Sequence, residues 1–230
     1  MFSNFDFDVI RRSLGYLFLD GMTFTLTLTG LGALGGLVFG TMIALMRLSG
    51  YRLLGRIAGL YVDLMRSLPL VLVIFWFYFL VPYIGQWLTG SSRPVRVGAF
   101  ASSLITFTLF EAAYFAEIMR AGIQSISKGQ PSAASALGLT YGQTMRYVVL
   151  PQAFRNMLPV LLTQTIVLFQ DTSLVYVLSI PDFLGAASKV AQRDGRLVEM
   201  YLFAAVVYFV ISSIASFGVR RLQARIAIVR

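Results

Sequence analysis

The sequence predicts an all-α integral membrane protein with about five spanning helices, and three observations carry that prediction. Hydrophobic residues make up 57% of the 230 residues and charged residues only 13%, about half the charged share usual in soluble domains. A soluble domain of this length has too little interior to hide so much apolar surface. Five segments are also long and apolar enough to cross a bilayer, which takes roughly 20 residues for about 30 Å of hydrocarbon.

The elements follow in order along a single transmembrane domain, 1–230. Residues 1–20 carry Asp6, Asp8 and Asp20 and no basic start before an apolar core, so a signal peptide is not expected there. Their apolar positions Phe5, Phe7, Ile10, Leu14, Leu17 and Phe18 predict a short helix lying in the interface. The spans are expected at about 21–46, 60–88, 97–118, 156–180 and 199–220. The first is uncharged and repeats Gly32, Gly36 and Gly40, the small-residue spacing that brings helices into close contact, within one fold or between copies. Pro69 kinks the second, because it removes a helical donor. The third carries Glu111 and the fourth Asp171. Between the last two spans, Asp182–Glu199 reads as a charged loop.

An odd number of spans puts the termini on opposite sides. With the C-terminus inside, the cytoplasmic segments hold 12 basic residues and the outer ones 7, the direction that the positive-inside rule prefers. The net charge of +9 is then mainly a topology signal. The arginines stand dispersed at helix ends, which does not suit nucleic-acid binding.

Several chemistries are excluded outright. Cys and His are absent, which removes disulfides, thiolate and imidazole metal sites and Ser-His-Asp triads. The two lysines, Lys128 and Lys189, precede Gly129 and Val190, so no G-K-[ST] phosphate loop exists. Work driven by ATP therefore requires another chain.

The longest connection, 120–155, is punctuated as a compact knob. Gln130-Pro131 starts a short helix through Ser132-Ala133-Ala134-Ser135-Ala136-Leu137, and Gly138 stops it. Thr140 caps a second, which Pro151 is expected to end. The pattern alone fits an ordinary interfacial hairpin or a plug whose small side chains let a partner approach closely.

Ser132-Ala133-Ala134, Gly138 and Val148-Val149-Leu150-Pro151 resemble the EAA motif of bacterial ABC importer permeases, E-A-A, three residues, G, nine residues, I-x-L-P. Ser132 stands where the family has Glu, and Val148 where it has Ile, so an acidic contact at the first position is missing. Gly138-Leu139-Thr140, Leu150-Pro151-Gln152-Ala153-Phe154-Arg155 and Arg66-Ser67-Leu68-Pro69-Leu70 are similar to permeases for polar amino acids. So is the run from Tyr114 to Gln124. The run from Leu168 to Leu178 and Arg193-Asp194-Gly195 are most like the glutamate/aspartate type, although many relatives have Lys where Gln170 stands.

The resemblance implies a permease subunit in the bacterial inner membrane, its N-terminus periplasmic and its C-terminus cytoplasmic. It would pair with a second, similar but distinct permease, with two ATP-binding subunits and with a periplasmic amino-acid-binding protein. The chain would bind no cofactor itself, while the partner ATPase uses ATP-Mg. Ser132, Ala133, Ala134, Gly138, Leu150 and Pro151 would form the coupling helix and its flank.

A charge at mid-bilayer costs on the order of 3 kcal/mol, so intramembrane ionisable residues face protein or water. Glu111, Gln164, Gln170, Asp171, Thr172 and Ser173 are candidates for the translocation path; Gln164 and Asp171, seven apart, share a helix face. The alternative is structural, with Asp171 capping a kinked helix and Glu111 protonated or paired. Arg66 could meet substrate, but pairing with Glu117 is the reading preferred; Glu117 can also reach Arg120 three residues on, and the three are candidate gating or ion-pairing residues. A rival reading, an ion-gradient-coupled carrier using Glu111 and Asp171, fits poorly with five spans and no evident internal repeat.

Overall fold

The computed structural model describes residues 5–226, all helices and connections with no strand among them. The first four residues of the expected N-terminal segment and Arg230 of the charge reading lie outside the described residues. Ten α-helices run in order: α1 Phe7–Gly15, α2 Thr23–Leu48, α3 Arg52–Ser67, α4 Leu70–Thr89, α5 Ala99–Gln124, α6 Gly129–Ala136, α7 Tyr141–Thr144, α8 Leu150–Asp171, α9 Phe183–Asp194 and α10 Leu197–Ile226. π-helical segments, Tyr16–Met22 and Met145–Val149, link α1 to α2 and α7 to α8, and a 3₁₀ stretch, Thr172–Leu178, follows α8.

Five stretches are long and apolar enough to cross a membrane: Phe7–Leu48, Leu70–Thr89, Ala99–Gln124, Tyr141–Leu178 and Leu197–Ile226. The bounds shift by several residues at most spans, and three differences from the sequence expectation bear on the fold. First, α1 does not stand apart from the first span; the chain stays helical through Gly15 and the π segment into α2. Second, the expected span 60–88 is two helices. Pro69 takes an extended conformation (ψ 127°) at the N-cap of α4, and α3 ends before it at Ser67, whose hydroxyl donates to Asp63 O. Proline also drives the residue before it away from helical geometry, which turns the expected kink into a break. Third, Pro151 does not end a helix but sits in the first turn of α8. The π turn before it, where Leu150 N–H donates to Met145 O, supplies the slack that a proline in a continuous helix needs.

The chain forms two compact units. The first draws on residues up to Leu34, on Leu68–Thr108 and on Ile166–Ala215. One core in it gathers Val9, Leu17, Met22, Phe169, Phe183, Ala187 and Met200; another gathers Leu28, Ile74, Phe107, Leu168, Val175 and Ile180. The segment read as a charged loop is mostly α9, and one side of it is buried from Phe183 to Ala191. Small residues make that burial possible: a side chain at Gly21 would lie 2.9 Å from Ala186 Cβ, and one at Gly185 only 2.2 Å from Ile180 O.

The first unit holds α1 in place with charge. Arg12 meets Asp194 at 3.0 Å, and Arg196 bridges Glu199 at 3.2 Å and Asp6 at 3.8 Å. Arg193, then Arg12, hold the Asp194 carboxyl down at about 2. Asp182 behaves oppositely. It is fully buried and accepts from Leu184 N and Gly185 N as the N-cap of α9, yet burial outweighs these bonds and pushes its carboxyl up to about 7.

The second unit draws on Gly35–Ser67, Leu109–Thr165 and the residues from Ser216. Its core is Ala44, Val62, Ala113, Phe115, Ala116, Met119 and Leu161. Here α2 lies directly on α5: a Cβ at Gly36 would be 2.7 Å from Glu111 Cβ, and one at Gly40 2.9 Å from Phe115 Cβ. The glycine spacing therefore serves packing within the chain, where van der Waals contact must replace a hydrophobic drive.

Candidate functional site

The knob between α5 and α8 is built by local chemistry. Ser132 donates its hydroxyl back to Lys128 O at 3.0 Å inside α6. Leu137 N–H and Leu139 N–H bond Ala133 O and Ala134 O, and Gly138 turns the chain with φ +82°, a left-handed value that glycine adopts without steric cost. Thr140 then opens α7 with a reciprocal capping box: Gln143 N–H donates to the Thr140 hydroxyl, and Thr140 N–H to Gln143 Oε1.

What the knob exposes matters most. Ala134 alone in α6 is buried, while Ser132, Ala133 and Gly138 face outward. Leu137 and Tyr141 are each 81% exposed, large apolar groups standing out at the corner. A cavity of about 290 Å³ lies behind them, lined by Ile123, Ile126, Pro131, Tyr141, Met145 and Val149 among others. Leu150 is exposed and Pro151 follows it in the first turn of α8. The arrangement is a small-residue ridge with a protruding apolar corner, suited to seating in a groove.

In the second unit, Glu111 is fully buried on α5, and Gln164 Nε2 on α8 donates to its Oε1 at 3.2 Å. Nearer the end of α5, Glu117 is gripped from two sides. Arg47, the last turn of α2, donates to one carboxylate oxygen; Arg120 engages both oxygens, its Nε at 3.0 Å, and also reaches Gln124. Arg66 stands elsewhere, its guanidinium 5.4 Å from the centre of the Tyr114 ring. Arg47 was the residue that sequence reasoning passed over. The signal for it was present, since it is the first charge after an uncharged span of α2.

In the first unit, Gln170 Nε2 donates to Ser212 Oγ at 3.0 Å, a pairing between α8 and α10 that sequence does not reveal. Asp171 ends α8, but its side chain caps no backbone N–H of the 3₁₀ stretch. Thr172 is fully buried and donates its hydroxyl to Phe169 O, and Ser173 is half-buried beside it. No group of three or more acidic, His or Cys side chains that could hold a metal exists among the described residues.

Among the described residues, five apolar spans and one compact small-residue knob give the architecture of a multi-pass membrane protein. The chain belongs to the family of binding-protein-dependent transport system inner membrane components, which it matches over residues 36–228. It is 53% identical to the glutamate/aspartate import permease protein GltK of Escherichia coli O6:H1 over 97% of this chain and 99% of that one. The glutamine transport system permease protein GlnP of Escherichia coli K12 is 33% identical over similar shares, 97% and 99%. Among solved structures, an amino acid ABC transporter crystallised with histidines superimposes with a TM-score of 0.86, at 32% identity over 96% of this chain and 98% of that one.

Proposed function

We propose that this chain is the membrane-spanning permease subunit of an ATP-driven importer of acidic amino acids, with glutamate and aspartate as substrates. The observation that carries the reading is identity to a glutamate/aspartate import permease at 53% over nearly the whole of both chains. On this reading the chain pairs with a second, distinct permease, with two ATP-binding subunits and with a periplasmic binding protein. ATP-Mg is consumed on the partner, since the chain has no phosphate loop of its own.

The N-terminus is periplasmic and the C-terminus cytoplasmic in this proposal, which puts the α6–α7 knob beside the ATPase. Ser132, Ala133 and Gly138 form the seated ridge, Ala134 holds α6 against its own unit from the buried side, and Leu150 and Pro151 join the ridge to α8. Closure of the ATPase pulls on the ridge and moves α8, whose Gln164 is bonded to Glu111. Gln170, Asp171, Thr172 and Ser173 border the path. Glu117, with Arg120 and Arg47, ties α5 to α2 and steadies the unit while it moves, and Arg66 contributes through Tyr114.

The test is uptake in proteoliposomes holding the complete complex, with labelled glutamate, aspartate and glutamine offered with the cognate binding protein. Glutamate and aspartate should accumulate only with ATP and binding protein present. Uptake driven by a proton or sodium gradient without nucleotide would overturn the reading, and preference for glutamine would overturn the substrate.

A further inference from the structure

A second polar site lies in the second unit. The turn Ser49-Gly50-Tyr51 joins α2 to α3, and together with the end of α5 it encloses an open cavity of about 580 Å³. Its lining includes four arginines, Arg47, Arg52, Arg56 and Arg120, and Gln124. Gly50 and Gly55 leave the floor low; at Gly55 even an added Cβ would meet only backbone oxygens at 3.8 Å or more.

The charge there is unbalanced. Glu117 binds Arg47 and Arg120, but Arg52 and Arg56 have no carboxylate partner among the described residues. The next acid on α3, Asp63, is about two turns further along the helix. Four guanidiniums against one carboxylate make a site for an anion. Guanidinium forks match phosphate oxygens in pairs, which an ammonium cannot do.

The surroundings select the source of that phosphate. Leu53, Ile57, Leu60 and Leu64 form a continuous exposed stripe on α3, 70%, 53%, 70% and 53% accessible, beginning beside Arg52. Their spacing of four, three and four residues keeps them on one helix face. A free phosphate makes no use of such a stripe, whereas a lipid headgroup brings acyl chains that would lie along it. Basic pockets between spanning helices hold anionic headgroups in this manner.

We propose that the Arg47–Arg52–Arg56–Arg120 cavity binds a phosphate group, and that the phosphate is the headgroup of an anionic phospholipid whose chains cover the Leu53–Leu64 stripe. The proposal needs a membrane-embedded chain but is independent of which amino acid is carried.

The test uses the purified full complex, delipidated and titrated with phosphatidylglycerol or phosphatidylcholine, with bound lipid counted by native mass spectrometry. Wild type should retain phosphatidylglycerol about fivefold better than phosphatidylcholine, and Arg52→Gln with Arg56→Gln should erase the difference, while Arg225→Gln on α10 should keep it. Arg52→Lys with Arg56→Lys should give an intermediate preference. The absence of native cysteine permits a second readout that does not require the double variant. A thiol at Arg52→Cys should react more slowly with a water-soluble reagent in phosphatidylglycerol than in phosphatidylcholine vesicles. Undiminished phosphatidylglycerol retention in the double glutamine variant would overturn the site. Displacement of the lipid by millimolar inorganic phosphate would overturn the lipid as its source, and equal protection of the thiol by partner subunits in lipid-free detergent would assign the cavity to protein instead.

Discussion

Helices α6 and α9 are both short, both lie between spanning helices and both are rich in Ala, Ser and Gly, yet one residue of the 8 in α6 is buried whereas seven of the 12 in α9 are. In α9 small side chains serve the chain itself: they admit Gly21 to within contact of Ala186 and bring Phe183 N–H to the Thr25 hydroxyl at 3.0 Å. In α6 the same residue types, Ala134 apart, are turned outward. A small residue is therefore not evidence of a binding ridge by itself; its exposure in the folded unit is what separates a spacer from a surface left open to a partner.

The contrast can be broken most severely at Gly185. An alanine there would place its Cβ 2.2 Å from Ile180 O, so Gly185→Ala should cost at least about 3 kcal/mol, at the upper end for overpacking, and reduce the yield of folded protein in detergent. The second effect is large on activity and small on stability. Ala133→Arg on the exposed face of α6 should leave the thermal midpoint nearly unchanged while lowering ATP-dependent uptake by about tenfold or more, the equivalent of about 1.4 kcal/mol of lost docking. Equal losses of midpoint and uptake in that variant would make α6 a structural helix like α9.

Asp182 sharpens the comparison through pH. Its carboxyl is raised to about 7 in the fold and returns to the ordinary aspartate range on unfolding, so folding takes up a proton between those values. Stability from this group is fully present below the unfolded value and is lost as pH rises through about 7. Asp182→Asn keeps an acceptor for Leu184 and Gly185 but cannot titrate. Raising pH from about 5 to about 8 should therefore lower the wild-type midpoint more than that of the variant, a difference on the order of a few kcal/mol at most. Asp194 works in the opposite direction, its contribution lost only as pH falls through about 2. The smallest effect is expected at Ser132→Glu, which restores the acidic residue of the family motif on an exposed position. Its unfolding free energy should stay within about 0.5 kcal/mol of wild type, with any change confined to ATPase affinity.

What was legible in sequence was what is local. The Gly138 corner and the Thr140 cap depend on residues within four positions, and the five apolar spans on composition in one window. The seating of α9 was not legible, because its charged residues lie on the exposed side and its burial is decided by Gly21 and Thr25, far away in the chain. The partner of Glu117 was legible only in part. Arg120 is three residues away, but Arg47 is brought in by the approach of α2 to α5 at Gly36 and Gly40, while Arg66 is carried by α3 to the Tyr114 ring. Pro69 and Pro151 show the same limit: one breaks the helix and the other is absorbed, and the difference is the widened turn before Pro151.

That widened turn has a consequence for angular phase. Each residue of an α-helix advances the side-chain direction by about 100°, and the Met145–Val149 turn winds surplus backbone between α7 and α8. The wide turn absorbs that surplus locally, so the long helix keeps the phase that brings Gln164 to Glu111. Removing the surplus residue would tighten the turn to ordinary α-helix and press the Pro151 ring against the carbonyl four residues before it. The turn acts as a phase buffer, and it makes this short segment intolerant of a shortening even where it tolerates a change in side chain.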